Sequence, residues 1–203
     1  MTPPRGTVDR LLAGTPGPRP RADARRNLER LVEAARTAVA EVGVGVSAHE
    51  IARRAGVGIG TFYRRIPSLE ALLEVVLEDL FDQISDAAGQ ALEDPDPWHG
   101  LCAFATVYVR LRAESCGISE ALGDASGNAL AQRIEDLREG MRALVERAQA
   151  AGAVRTDLAW QDVPFLFAAA ATTRRTLGLD ANDQQWERNL RVILDGLRPV
   201  QPA

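Results

Sequence analysis

Thr61, Tyr63, Arg64 and Arg65 fall within five residues and offer two hydroxyls and two guanidiniums. Such groups hydrogen-bond readily to phosphate oxygens. Gly60 precedes them and leaves room for a close approach. Ile51, Val57 and Phe62 are the apolar residues of the same stretch and can pack inward. That puts Ile59, Gly60, Thr61, Tyr63, Arg64 and Arg65 on or near the outward side of one short helix. A helix of that kind enters the major groove of duplex DNA with its N-terminal residues toward base edges.

Other chemistries fit less well. Gly56-Val57-Gly58-Ile59-Gly60 looks like a nucleotide loop. The dinucleotide fingerprint, however, needs a preceding strand and a glycine where Thr61 stands. The chain has no Lys, so it has no phosphate loop of the Gly-x-x-x-x-Gly-Lys type. Gly117-Ile118-Ser119-Glu120-Ala121 lacks the closing glycine of a nucleophile elbow. His99 and Cys102 are spaced to offer two metal ligands on one helix face, but no third accompanies them. Cys102 therefore reads as core filling and His99 as a residue of a helix start. Cys102 and Cys116 would stand roughly 21 Å apart on one helix, too far for a disulfide. With two His and no acid–base constellation of recognisable spacing, an all-α enzyme is the weakest reading. No metal and no cofactor is expected.

The elements that must position the short helix follow from periodicity. Leu28, Leu31, Val32, Ala35, Val39 and Val42 recur at helical steps and predict an amphipathic first helix, ended by Gly43 and Gly45. Ser47-Ala48-His49-Glu50 predicts a capping box at the second helix, which runs to about Arg54. Gly56 supplies the turn, and the third helix covers about residues 58–65, before Pro67. Ser68 caps a long fourth helix with one apolar stripe of Leu69, Leu73, Val76, Leu80 and Ile84, and a second of Leu77, Phe81 and Ala88. Asp96-Pro97 starts the fifth, a short sixth covers Ser119 to Leu122, and the seventh stops by Gly152. The eighth carries Val163, Leu166, Phe167, Ala170 and Leu177. The ninth starts at Asn182 or Asp183 and carries Trp186, Leu190, Ile193 and Leu197. The fold is expected to be all-α with about nine helices, a helix-turn-helix module of three helices joined to a C-terminal bundle.

Charge is unevenly divided. Residues 1–66 hold 12 Arg against 6 Asp/Glu, a balance of +6, whereas residues 67–203 hold 12 Arg against 22 Asp/Glu, a balance of −10. A basic end on an acidic body points to an anionic partner, with nucleic acid first. Residues 1–22 carry five of the eleven prolines among Arg5, Arg10, Arg19 and Arg21 and are expected to form a disordered basic arm. Residues 23–67 are expected to form the DNA-binding domain, and residues 68–203 a ligand-binding and dimerisation domain. No apolar run approaches the ~20 residues of a membrane span, and no apolar signal core follows Met1. With two cysteines besides, the expectation is a soluble, cytoplasmic protein without a membrane partner.

The segment from Ser47 to Leu73 resembles the DNA-binding domain of the tetracycline-repressor (TetR) family of bacterial transcription regulators. The family pattern is roughly Ile-Ala-x-x-Ala-Gly-Val-Ser-x-Gly-Thr-Leu-Tyr-x-His-Phe-x-Ser-Lys-Glu-x-Leu. Ile51, Ala52, Ala55, Gly56, Val57, Gly60, Thr61, Tyr63, Ser68, Glu70 and Leu72 match it without a gap. The resemblance implies that Ser47, Thr61, Tyr63 and Arg65 contact the DNA backbone and that Ile59, with Arg64, reads bases. Four residues depart from the pattern: Gly58 stands for Ser, Arg65 for His, Ile66 for Phe and Leu69 for Lys.

The resemblance also implies a homodimer formed by the last two helices, which binds a palindromic double-stranded operator as a repressor. Ala168 to Ala171 would allow close helix approach there, beside a stripe of Leu190, Ile193 and Leu197. It implies a small-molecule effector within the bundle, for which Phe104, Tyr108, Met141, Phe167 and Arg174 are the candidate contacts. Such a lining suits a mainly apolar effector, with an anionic group to meet Arg174. A regulator that binds DNA without any ligand is the alternative.

Overall fold

Helix boundaries in the computed structural model follow the capping chemistry of the sequence closely. The structure describes residues 22–115, 128–171 and 175–199. The expected arm up to residue 21, the short helix at Ser119 to Leu122, Cys116 and Arg174 lie outside the described residues. Helix α1 (Ala22–Val42) leads into α2 (Ala48–Arg54), α3 (Ile59–Tyr63), α4 (Leu69–Glu93) and α5 (Pro97–Glu114). Then come α6 (Asn128–Ala150), α7 (Asp162–Ala170), a two-stranded ribbon of β1 (Arg175–Thr176) and β2 (Leu179–Asp180), and α8 (Gln185–Leu197). Eight helices are thus present among the described residues.

Ser68 Oγ accepts from the amide of Ala71 at 3.1 Å, and Asp96 Oδ1 accepts from the amides of Trp98 and His99 at 2.9 and 3.3 Å. Pro97 stands first in α5, where its missing N–H costs no intrahelical bond. Among the described residues, no helix is long and apolar enough to cross a membrane.

Two departures from the periodic pattern have local causes. Val42 is exposed rather than part of the α1 stripe, because α1 ends there and the chain turns at Gly43. The eighth predicted helix was expected to reach Leu177, yet α7 stops at Ala170. Leu177 and Gly178 instead form the two-residue turn of the ribbon, with φ of 49° and 79°. Two positive φ values match the twist of a tight antiparallel hairpin. The last helix starts at Gln185, slightly later than expected, with Asn182 Oδ1 accepting from the Gln184 amide at 3.2 Å.

The described residues form two compact units, residues 22–80 with Ser115, and residues 81–114, 128–171 and 175–199. In the first, Leu28, Leu31, Val32, Ala35 and Val39 of α1 are buried with Ile51 and Ala52 of α2, Phe62 of α3, Ile66, and Leu72 and Val76 of α4. Leu72 is fully buried, whereas Leu69, Leu73 and Leu80 of the predicted stripe are half-buried. Asp79 lies among these apolar residues at 7% exposure and accepts a hydrogen bond from Arg36 of α1. In the second unit, α5 packs against α6, α7 and α8, and α7 against α8. Gly100 of α5 lies so close to the last turn of α4 that an added Cβ would run into the carbonyl of Ala91. Arg147 of α6 caps that same turn, donating to the carbonyls of Ala91, Leu92 and Asp94.

Candidate nucleic-acid interface

Ser47 is the N-cap of α2, and its Oγ accepts from the amide of Glu50 at 3.2 Å. This is the first half of the expected capping box. The second half is replaced: the Glu50 carboxylate accepts from Arg53 Nε and Nη2 at 2.9 and 2.7 Å and from Arg54 Nε at 2.7 Å. Arg54 also donates to Glu41 at 2.6 Å. Two cations within one turn outcompete a single backbone amide for a carboxylate. The bonds from Arg53 and then Arg54 hold the Glu50 carboxyl down at about 2.

α2 ends in a Schellman turn. The Gly56 amide donates to Arg53 O at 3.2 Å and the Val57 amide to Ala52 O at 3.0 Å. Gly56 sits at φ 65°, a conformation that costs glycine least. The Arg30 guanidinium of α1 lies beside this turn; a Cβ added at Gly56 would meet its Nη1 at 4.0 Å. Gly58 then caps α3 through its carbonyl alone, accepting from the amides of Thr61 and Phe62 at 2.8 and 3.1 Å. The hydroxyl that the family pattern carries at this position is missing here.

Phe62 and Ile66 are fully buried and anchor α3 from below. The opposite side holds the predicted DNA-facing residues. Gly60, Tyr63, Arg64 and Arg65 are exposed, Tyr63 at 56%, while Ile59 and Thr61 are half-buried. An added Cβ at Gly60 would meet nothing within 4 Å, so the helix surface there is open. Arg64 Nη2 donates to Thr61 Oγ1 at 3.0 Å. Ser47, exposed, stands one helix away at the start of α2. Among the described residues, Arg30, Arg64 and Arg65 have no carboxylate partner. The outward side of α3 is therefore a donor surface with uncompensated positive charge. Arg30 was not anticipated from the sequence, since its place beside Gly56 depends on how α1 crosses the other two helices.

Residues 31–76 match the family described as "Bacterial regulatory proteins, tetR family", and residues 96–199 match the one described as "Transcriptional regulator SbtR-like, C-terminal domain". A TetR transcription regulatory protein from Mycobacterium vanbaalenii is 34% identical, over 88% of this chain and 98% of that one, with a TM-score of 0.56. A TetR transcriptional regulator from Streptomyces coelicolor is 30% identical, over 85% of this chain and 99% of that one, with a TM-score of 0.59. The chain belongs to the TetR family of transcriptional regulators. The TetR fold is shared at lower identity too. The ketosteroid regulator KstR2 of Mycobacterium tuberculosis is 18% identical over 89% of this chain and 98% of that one, with a TM-score of 0.66. A search of the curated proteins found no match.

Four of the residues predicted to meet an effector lie in the second unit of this TetR-family chain. Phe104, Tyr108, Met141 and Phe167 are all buried. Three of them form a column of rings, with centroids 5.8 Å apart between Phe104 and Tyr108 and 6.3 Å between Tyr108 and Phe167. Burial pushes the Tyr108 hydroxyl above its ordinary range. Arg112, one turn on, holds its guanidinium 5.7 Å from the Tyr108 ring centre and donates to its hydroxyl at 3.4 Å. Arg112 was not anticipated from the sequence, although it stands four residues after Tyr108, a spacing that brings side chains together on a helix. His99 turns to Asp94 rather than to Cys102, and that bond raises the imidazole above its ordinary value.

Proposed function

We propose that this chain is a ligand-responsive repressor that binds a palindromic operator as a homodimer. Residues 23–67 supply DNA binding, and residues 68–203 supply effector binding and dimerisation. Ile59, Gly60 and Arg64 face base edges, while Ser47, Thr61, Tyr63 and Arg65 hold phosphates. The observation that carries this reading is the outward face of α3, where Gly60 is open and Arg64 and Arg65 lack carboxylate partners among the described residues. Exposed guanidiniums beside an open helix face suit a polyanion whose groove admits a helix. Gly60→Asp is expected to abolish binding to a selected palindrome in a mobility-shift assay while circular dichroism stays helical. Unchanged affinity in the folded variant would sink the assignment.

The effector proposed is a mainly apolar molecule with an anionic group. Phe104, Tyr108, Met141 and Phe167 supply apolar surface. Arg174 was the expected cation, and Arg112 beside Tyr108 is a second. Such a ligand releases DNA by favouring a spacing of the two recognition helices that the operator does not accept. A thermal-shift screen of hydrophobic acids, followed by DNA release, tests this. Stabilisation and release only by a divalent metal or a sugar would overturn it. The ring-to-ring packing of Phe104, Tyr108 and Phe167 favours a second reading, regulation without a ligand, because these rings fill one another's surroundings.

A further inference from the structure

A groove of about 400 Å³ runs between α5 and α8, a capacity within the ordinary range of ligand clefts. Trp98 and Cys102 of α5 and Trp186, Leu190 and Leu194 of α8 supply its apolar lining. At about 3.6 residues per turn, Trp98 and Cys102 fall on the side of α5 away from Phe104 and Tyr108. Burial holds the Cys102 thiol above its ordinary range, although Arg198 pulls the other way, so the thiol stays neutral. Arg191 and Arg198 stand on the rim. Arg191 lies four residues from both Glu187 and Asp195, a spacing that allows pairing, yet among the described residues it pairs with neither. Arg198 has no carboxylate partner among them either, and its guanidinium carbon lies 4.4 Å from the centre of the Trp98 ring, over its face. An arginine packed on an aromatic face keeps its N–H donors for a second group. Leu194 stands two residues after the exposed Val192 and so on nearly the opposite side of α8. The groove therefore stays open to solvent when two copies meet through the Val192 side.

We propose that this groove binds a planar aromatic monocarboxylate, with its ring among the apolar side chains of α5 and α8 and its carboxylate bonded to Arg198. The site is separate from the column of rings, and the proposal depends neither on the effector reading of that column nor on DNA binding. A guanidinium matches a carboxylate through two parallel hydrogen bonds. Trp98 holds the Arg198 fork in place beforehand, so little side-chain freedom is lost on binding. The indoles of Trp98 and Trp186, with the two leucines, offer apolar surface to a flat ring. Glu187 and Asp195 on the same rim balance Arg191 and Arg198, so a second ligand carboxylate meets repulsion without an unmatched cation. A cationic ligand is disfavoured because Arg198 already occupies the Trp98 face that would receive it. Once seated, the acid joins the start of α5 to the last turns of α8.

The test is titration calorimetry on the full chain without DNA, with naphthoate as the probe and naphthamide, naphthylmethylammonium and naphthalene dicarboxylate as controls. Naphthoate should bind at least about tenfold more tightly than each control. Arg198→Gln should weaken naphthoate by about tenfold or more and leave the weaker binding of naphthamide unchanged. Thr106 is exposed on the groove wall, and Thr106→Trp should weaken naphthoate and naphthamide alike by filling the space. Arg112→Gln, beside the column of rings, should leave naphthoate binding intact. Circular dichroism checks that each variant keeps its helices. Binding that survives Arg198→Gln and Thr106→Trp but falls with Arg112→Gln overturns the proposal and assigns the acid to the column of rings. Tighter binding of naphthylmethylammonium overturns it in favour of Glu187 and Asp195. Absence of naphthoate binding to the wild type at millimolar concentration overturns it outright, and leaves the DNA-binding reading untouched.

Discussion

Asp79 stands in an apolar interior, where it accepts a hydrogen bond from Arg36 across the helix pair. Asp79→Asn should lower stability in urea melts by about 3 kcal/mol, the low end for breaking a buried ion pair, because Arg36 is 21% exposed and can hydrate. A cost near zero would mean the pair is not formed in solution. Glu50 makes a prediction about pH. Its carboxyl is held at about 2, below the ordinary 4.5, so the unfolded chain binds the proton more readily. Its contribution to stability is present above 4.5 and is lost as pH falls through about 2. Glu50→Gln should therefore flatten the acid limb of the melting temperature against pH, by an amount kept small by solvent screening. An unchanged limb refutes the clasp on Arg53 and Arg54. At this scale the sequence was legible where partners are close in it. Ser47, Gly56, Ser68 and Asp96 announced their roles through spacings of two to four residues. Arg36 and Asp79 are 43 residues apart, and no local pattern links them.

Gly89 and Gly100 show how one substitution reverses sign with context. Gly100→Ala drives a methyl into the Ala91 carbonyl, a backbone atom that cannot swing aside, and should cost about 1–3 kcal/mol. Gly89, within α4, has nothing within 4 Å of an added Cβ, so Gly89→Ala should stabilise by about 0.5–1 kcal/mol. Paired chemical denaturation curves check both, and equal signs would contradict the crossing of α5 over the end of α4. Helices were readable from the sequence because apolar period, caps and breakers agreed along most of them. α7 was misjudged because Leu177 happened to fall on the apolar period of the preceding helix. Its side chain is instead 96% exposed on the hairpin turn. Periodicity registers where an apolar residue recurs and carries no information about what lies opposite it.

That ambiguity governs the assembly as well. Leu190 and Leu197, expected at a dimer surface, are buried within the second unit, as is Ala170. Phe165 of α7 and Val192 of α8 are instead the outward apolar residues, at 76% and 71% exposure. Large exposed apolar side chains on two adjacent helices are what a partner surface requires. Phe165→Arg should therefore shift the protein from dimer to monomer in sedimentation, with helical circular dichroism retained and weaker operator binding. A wild type that is monomeric at micromolar concentration would overturn the two-fold scheme. Ala170→Arg would not serve, since a buried arginine would unfold the unit first. The contact of Arg198 with Trp98 also turns the second unit into an optical instrument. The guanidinium just past α8 lies 4.4 Å over the indole at the start of α5. Release of that last turn would expose more of the half-buried ring to water and move its emission to the red. Subtracting the spectrum of Trp98→Phe isolates this signal from the other two tryptophans. In a stopped-flow experiment it would time the docking of the C-terminal helix, separating that step from collapse of the rest of the chain.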